Sequence, residues 1–171
     1  TTGAGYAALS ANTTGAENTA FGRIALQDNT TGARNTAVGS GALENNTTAN
    51  DNTAVGRDSL KANTSGAANV AIGLAALDAN TTASNNTAVG TEALGANTTG
   101  TQNTALGAYT LDANTTSNNQ TAVGHNALSA ATTGGENTAV GSAAAQSTTT
   151  GSFNVAVGMR ALRDNTGGEK N

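Results

Sequence analysis

The sequence has no cysteine, no proline and no tryptophan, and aromatic residues make up only 2% of it. Each shortage excludes something. Without Cys there is neither a disulfide scaffold nor a thiolate metal site, although the compartment stays open. With two Tyr and two Phe among 171 residues, the chain lacks the large side chains of an ordinary globular core. Charge is also scarce, at 11% of residues with a formal net charge of -4, so there is no basic footprint for nucleic acid or anionic lipid. No apolar run approaches the ~18 residues of a membrane span, and no signal peptide is visible, so membrane insertion by this segment is not expected. The abundance of Thr, Asn, Gly and Ala would also suit a disordered chain, but disordered chains lack positional discipline.

Positional discipline is what the sequence has. Gly5, Gly22, Gly39, Gly56, Gly73, Gly90, Gly107, Gly124, Gly141 and Gly158 recur every 17 residues without insertion or deletion. The unit reads N-T-T-G-x-x-N-T-A-V-G-x-x-A-L-x-A. Down the chain, one column is Ala (Ala20 to Ala156), one is Leu (Leu9 to Leu162, with Ala145 the exception), and one is always Thr (Thr13 to Thr166). A third apolar column holds Phe21, Val38, Val55, Ile72, Val89, Leu106, Val123, Val140 and Val157.

Clusters of Gly, Asn and Thr at two places in each unit argue against helices, as does a period far shorter than the ~33 residues of helical repeats. Two short strands per unit, "NTAVG" and "ALxANTT", fit instead. Seventeen residues at ~3.3 Å close into one flattened coil, and coils stacked at ~4.8 Å pair each strand with its equivalent above and below. The expected fold is all-β: a parallel β-solenoid of about ten 17-residue coils, a single repeat array over residues 1–171 and a rod about 48 Å long. Asn12, Asn29, Asn46, Asn63, Asn80, Asn97 and Asn114 would stack into an amide ladder. Proline is missing because it would delete a ladder hydrogen bond in its coil. The chain lacks an initiator Met and begins and ends inside a repeat, which reads as a segment of a longer fibrous protein.

The core of such a coil is thin, with one Leu, one Val-type residue and several Ala. Burial of a Val or Leu is worth about 1.5–3 kcal/mol, against ~1–2 kcal/mol of backbone entropy for every ordered residue. In "TAV", adjacent Ala and Val point to opposite sides of an extended strand, so one apolar column faces outward unless the strand bends. The outward reading makes the column Val38, Val55, Ile72, Val89, Leu106, Val123, Val140 and Val157 an interface between copies of the chain. The inward reading places both columns, and Phe21 with them, in the core.

"NTAVGxxAL", at residues 35–43 and 86–94, resembles the coil motif of the head domains of trimeric autotransporter adhesins. It is also similar to the "NNTAIGxxAL…NTTG" arrays of bacterial and phage tail-fibre proteins, which share the period of 17. The resemblance covers all ten units. It implies a left-handed parallel β-roll assembled as a homotrimer, extracellular, on a cell or virion surface.

No enzyme is expected, and no catalytic, cofactor or metal site. The single His125 sits in a column that elsewhere holds Tyr6, Arg23, Ser40, Leu74 or Met159, and Glu17, Asp51 and Glu136 share a column with Arg34 and Phe153. No calcium repeat motif occurs. Turn positions such as Arg23, Arg57, Asp58, Glu92, Tyr109, His125 and Arg160 vary freely, and a host-surface protein or glycan would meet them there. The function read from the sequence is a structural and adhesive surface fibre, a shaft or head presenting these turns. The rival is an ice-binding solenoid using threonine ladders. Against that rival, Thr13 and Thr14 are adjacent and would face opposite sides of a strand.

Overall fold

The computed structural model describes all 171 residues as a stack of coils that contains no helix. Each coil contributes one three-residue strand, from β1 (Thr2–Ala4), β2 (Thr19–Phe21) and β3 (Thr36–Val38), through β4 (Thr53–Val55), β5 (Val70–Ile72), β6 (Thr87–Val89), β7 (Thr104–Leu106), β8 (Thr121–Val123) and β9 (Thr138–Val140), to β10 (Val155–Val157). They form one parallel sheet in sequence order. Register is strict: Thr36 pairs with Thr53, Ala37 with Ala54 and Val38 with Val55. Between the first strand and the tenth the chain makes about nine turns, a stack of roughly 43 Å at the usual strand spacing.

The second expected strand is absent. Over "ALxANTT" the backbone turns, with Leu94 (φ 52) left-handed inside the segment and Glu92 (φ 53) just before it; Gln102 (φ 60), in the turn that follows, is the third left-handed non-glycine residue of a typical coil. A left-handed residue costs ~1–2 kcal/mol, about what full burial of a leucine returns. Leu94 and its equivalents from Leu26 to Leu128 are fully buried, so each offsets its own backbone strain, while Leu9 and Leu162 in the end coils are half-buried. β-Branched residues fit such a position worst, and the Leu column contains none.

The turns nevertheless hold the stack together. Of 111 backbone hydrogen bonds, 18 lie within the strands and the other 93 elsewhere. In the coil of residues 86–102, Thr87, Leu94, Ala96 and Thr98 donate to the following coil, while Gly90, Glu92 and Gln102 donate to the preceding one. Every side of the coil is thereby tied to both neighbours. The coils touch closely at the marker glycine. Gly90 has φ 137, and a Cβ there would lie 2.5 Å from the Gly107 carbonyl. The close approach recurs from Gly5 to Gly141, and the positive φ that favours glycine extends to Gly158 as well.

The core is the inward Ala of the strand together with the Ala and Leu columns that follow it, as in Ala88, Ala93 and Leu94. The Val-type column lies outside it. Phe21 is 46% exposed, Val38 38%, Ile72 39% and Val157 69%, so the column faces outward and the inward reading, with Phe21 in the core, is corrected. Three extended residues alternate, and the shallow coil has room inside for Ala alone.

Two polar columns complete the interior. Asn12 to Asn114 form the expected ladder: Asn46 Nδ2 donates to Asn29 Oδ1 at 2.8 Å and to the Ala49 carbonyl at 3.1 Å. A second ladder, not foreseen from the sequence, runs through Asn18, Asn35, Asn52, Asn69, Asn86 and Asn103. Here Asn35 Oδ1 accepts the Asn52 backbone N–H at 3.0 Å, and Asn35 Nδ2 donates to the Ala49 carbonyl at 2.8 Å. That amide joins the start of a coil to the turn that closes it. Its signal was the near-invariant Asn before "TAV", which a reading focused on the apolar columns passed over.

Candidate functional site

Three surfaces carry candidate function. The first is the outer face of the sheet. Alternation along each strand puts the Thr36-type and Val38-type columns on one side. The Thr36-type hydroxyls donate to nothing in the chain, and Val70 and Val155 replace Thr in that column, so the position selects a β-branched shape rather than a hydroxyl. Beside it run the large apolar residues, of which Val55, Val89 and Val123 are half-buried and the others exposed. No charged side chain lies in either column of the sheet face.

The second surface is the corner that follows the strand. It displays the variable turn residues. Arg23, Arg57, Glu92, Tyr109, His125 and Arg160 are all exposed. Asp58 is half-buried instead, because its carboxylate is held 3.3 Å from Lys61 Nζ and 3.5 Å from Arg57 Nε. Hydrogen bonding to Asp58, with Glu44 nearby, holds the Lys61 ammonium above its ordinary pKa. Tyr109 and His125 meet edge to face across adjacent coils, with ring centroids 6.0 Å apart. Farther round the coil, Arg34 grips Asp51 with two hydrogen bonds, of 2.6 and 2.9 Å, which lowers the Asp51 pKa and raises that of Arg34.

A shallow cleft of about 390 Å³ opens where Gly95 leaves a gap between Asp78 and Asp112, with Glu92 at its side. Burial raises the pKa of both aspartates, and the nearby Glu92 charge adds to the shift. No three acidic or His side chains converge with metal-binding geometry.

The third surface is the N-T-T edge. The Thr13-type column spends its hydroxyls internally: Thr30 Oγ1 donates to the Thr47 carbonyl at 3.0 Å, and the pattern repeats along most of the stack. The Thr31-type side chains are exposed and make no hydrogen bond, although most of their backbone N–H groups bond the next coil. The two columns are adjacent yet both reach the surface, because they lie on a turn and not on a strand. The objection that adjacent Thr must face opposite sides therefore does not apply. Each Asn of these triplets begins an N-x-T or N-x-S glycosylation pattern, and burial from Asn29 to Asn114 closes those positions to glycosylation in the folded chain; Asn12, at the first coil, is half-buried.

No family model, no curated protein and no solved structure matches this chain.

Proposed function

We propose that this chain is a rod-like segment of a surface fibre, a shaft or adhesive head, which works as a homo-oligomer packed through the outer face of its sheet. The observation that carries this reading is the unpartnered apolar column. Six of its nine residues are more than a third exposed, in one continuous line along the stack. Exposed apolar residues aligned along one face, rather than scattered singly, are what interaction surfaces present. The column mixes Phe21, Val38, Ile72 and Leu106, so its height changes from coil to coil. Such relief suits packing against another protein surface, whose side chains can interlock with it.

The resemblance to trimeric adhesins and tail fibres makes the trimer the favoured state and the outside of a cell or virion the favoured location. In that assembly the exposed corner would present Arg23, Arg57, Glu92, Tyr109, His125 and Arg160, repeated in every copy, to a protein or glycan. Multivalent display raises avidity without new contacts.

Sedimentation equilibrium tests the assembly. The expected mass is a multiple of the 16.5 kDa chain. Replacing Val89 and Val123 together by Asp places charges in a dry contact and dissociates the oligomer. Because both side chains point outward, the dissociated chains should keep the β circular-dichroism signal. A concentration-independent mass near 16.5 kDa for the unaltered chain would overturn the reading.

A further inference from the structure

The N-T-T edge contains a column whose identity the fold does not explain. Thr14, Thr31, Thr48, Thr82, Thr99, Thr116, Thr133 and Thr150 share it with Ser65 and Gly167. From Thr14 to Thr150 these side chains are exposed, and none donates or accepts a hydrogen bond within the chain. The two threonine columns already described have structural reasons. Thr30-type hydroxyls bond the next coil, and the Thr36-type column accepts Val, so shape is what it needs. From Thr14 to Thr150 the Thr31-type column accepts Ser, which loses the branch and keeps the hydroxyl; Gly167, past the last strand, is the one member without it. A hydroxyl retained over shape, at the surface and unused by the fold, points outward to a ligand.

We propose that this edge binds crystalline water. Its repeat is fixed by the coil spacing of ~4.8 Å, and the neighbouring Thr30-type column turns its hydroxyl inward, leaving the rest of that side chain beside the free hydroxyl. The result is a double row of threonines, uncharged along its length. Immobilising a water costs entropy, so a surface whose hydroxyls are already restricted by stiff χ1 angles starts with an advantage. A crystal face cannot adapt to relief, and this edge is uniform where the sheet face is not. The two surfaces are separate, so ice binding here is compatible with self-association there and stands or falls independently of it.

The experiment is ice-crystal morphology and growth rate in solutions of the purified protein in its native oligomeric state. The unaltered chain should facet growing crystals and slow their growth. Thr82→Lys, Thr99→Lys and Thr116→Lys combined should abolish both effects, with an unchanged melting curve. The same three positions changed to Ser should keep the effect, and changed to Val should lose most of it. The Val89→Asp, Val123→Asp variant should still shape ice. Absence of shaping by the unaltered chain, full activity in the Lys variant, or Val outperforming Ser would each overturn the proposal.

Discussion

The stack divides into two regions that follow the same plan with different fidelity. From Asn12 to Asn114 the first amide ladder is unbroken, and each member after Asn12 donates to the Asn of the preceding coil and to its own turn. Beyond Gln120 the plan loosens. Ala131 and Thr148 interrupt that ladder, and Ala145 replaces a core Leu. The Thr148 hydroxyl is buried without a partner. Gln120 stands in the second ladder, where its longer side chain reproduces the Asn contacts: its backbone N–H bonds Asn103 Oδ1 and its Oε1 accepts from Asn137 N–H, while Nε2 reaches the Gly134 carbonyl. Backbone pairing is equally complete in both regions. The comparison teaches that backbone register makes the coil, while the side-chain ladders add stability locally. In a quasi-one-dimensional stack such losses are felt by immediate neighbours.

The largest contrast should come from glycine. Gly90→Ala drives a Cβ into the backbone of the next coil, at a φ reserved for glycine, and should cost about 3 kcal/mol or more. Gly158 has the same kind of φ but no atom within 4 Å of a virtual Cβ. Gly158→Ala then carries the conformational strain alone and should cost clearly less. Equal melting temperatures for the two variants would show that coil-to-coil approach is not what selects glycine.

The ladder supplies the next effect. Asn80 accepts from Asn97 and donates to both Asn63 and the Ala83 carbonyl. Asn80→Ala leaves buried partners unsatisfied, at roughly 1–3 kcal/mol for each group stranded. Asn165, half-buried in the last coil and bonded only within its own turn, should tolerate Ala with a loss below about 1 kcal/mol. Repair should work in the opposite direction. Ala131→Asn with Thr148→Asn would extend the ladder from Asn114 to Asn165, and is expected to add about 1–2 kcal/mol in chemical denaturation. Amide hydrogen exchange should slow in residues 127–151 and stay unchanged near Asn46.

Much of this architecture is legible in the sequence, for a physical reason. A stacked coil translates period into register, so the 17-residue repeat dictates the single parallel sheet, and the Ala and Leu columns of the core follow from it. The inward or outward choice for Val38 and its column was less legible, because it depends on how shallow the coil is. The second strand was misread because leucine usually avoids positive φ. Only the stacked environment, with Leu94 fully buried, makes that conformation worthwhile. The Asn35-type ladder was visible as a column, but its role required knowing that residues fourteen apart meet across one coil. The function of the surface was least legible. Turn side chains such as Arg23 and Glu92 obey no packing constraint that a sequence pattern could expose.

The smallest effect concerns the Asp78–Asp112 cleft, which lies within the well-ordered region yet carries its own mismatch. Burial raises the pKa of both carboxyls, with the Glu92 charge contributing, and Asp112 Oδ1 has no hydrogen-bond partner. A carboxyl with a raised native pKa binds its proton more tightly folded than unfolded. Native stability therefore falls as pH rises from the ordinary carboxylate value, 3.8, through the raised one, and the loss persists at neutral pH. The Arg34–Asp51 pair has the opposite sign: its contribution is present above the ordinary value and lost as pH falls through the lowered one, but solvent exposure keeps it small. Asp112→Asn removes one of the unfavourable charges. Melting temperatures measured between about pH 3 and pH 6 should drop less steeply with rising pH in Asp112→Asn than in the unaltered chain, with the two curves closest at the acid end. If the variant is instead less stable at neutral pH than at acid pH by the same margin as the unaltered chain, the Asp112 carboxylate does not destabilise the folded stack.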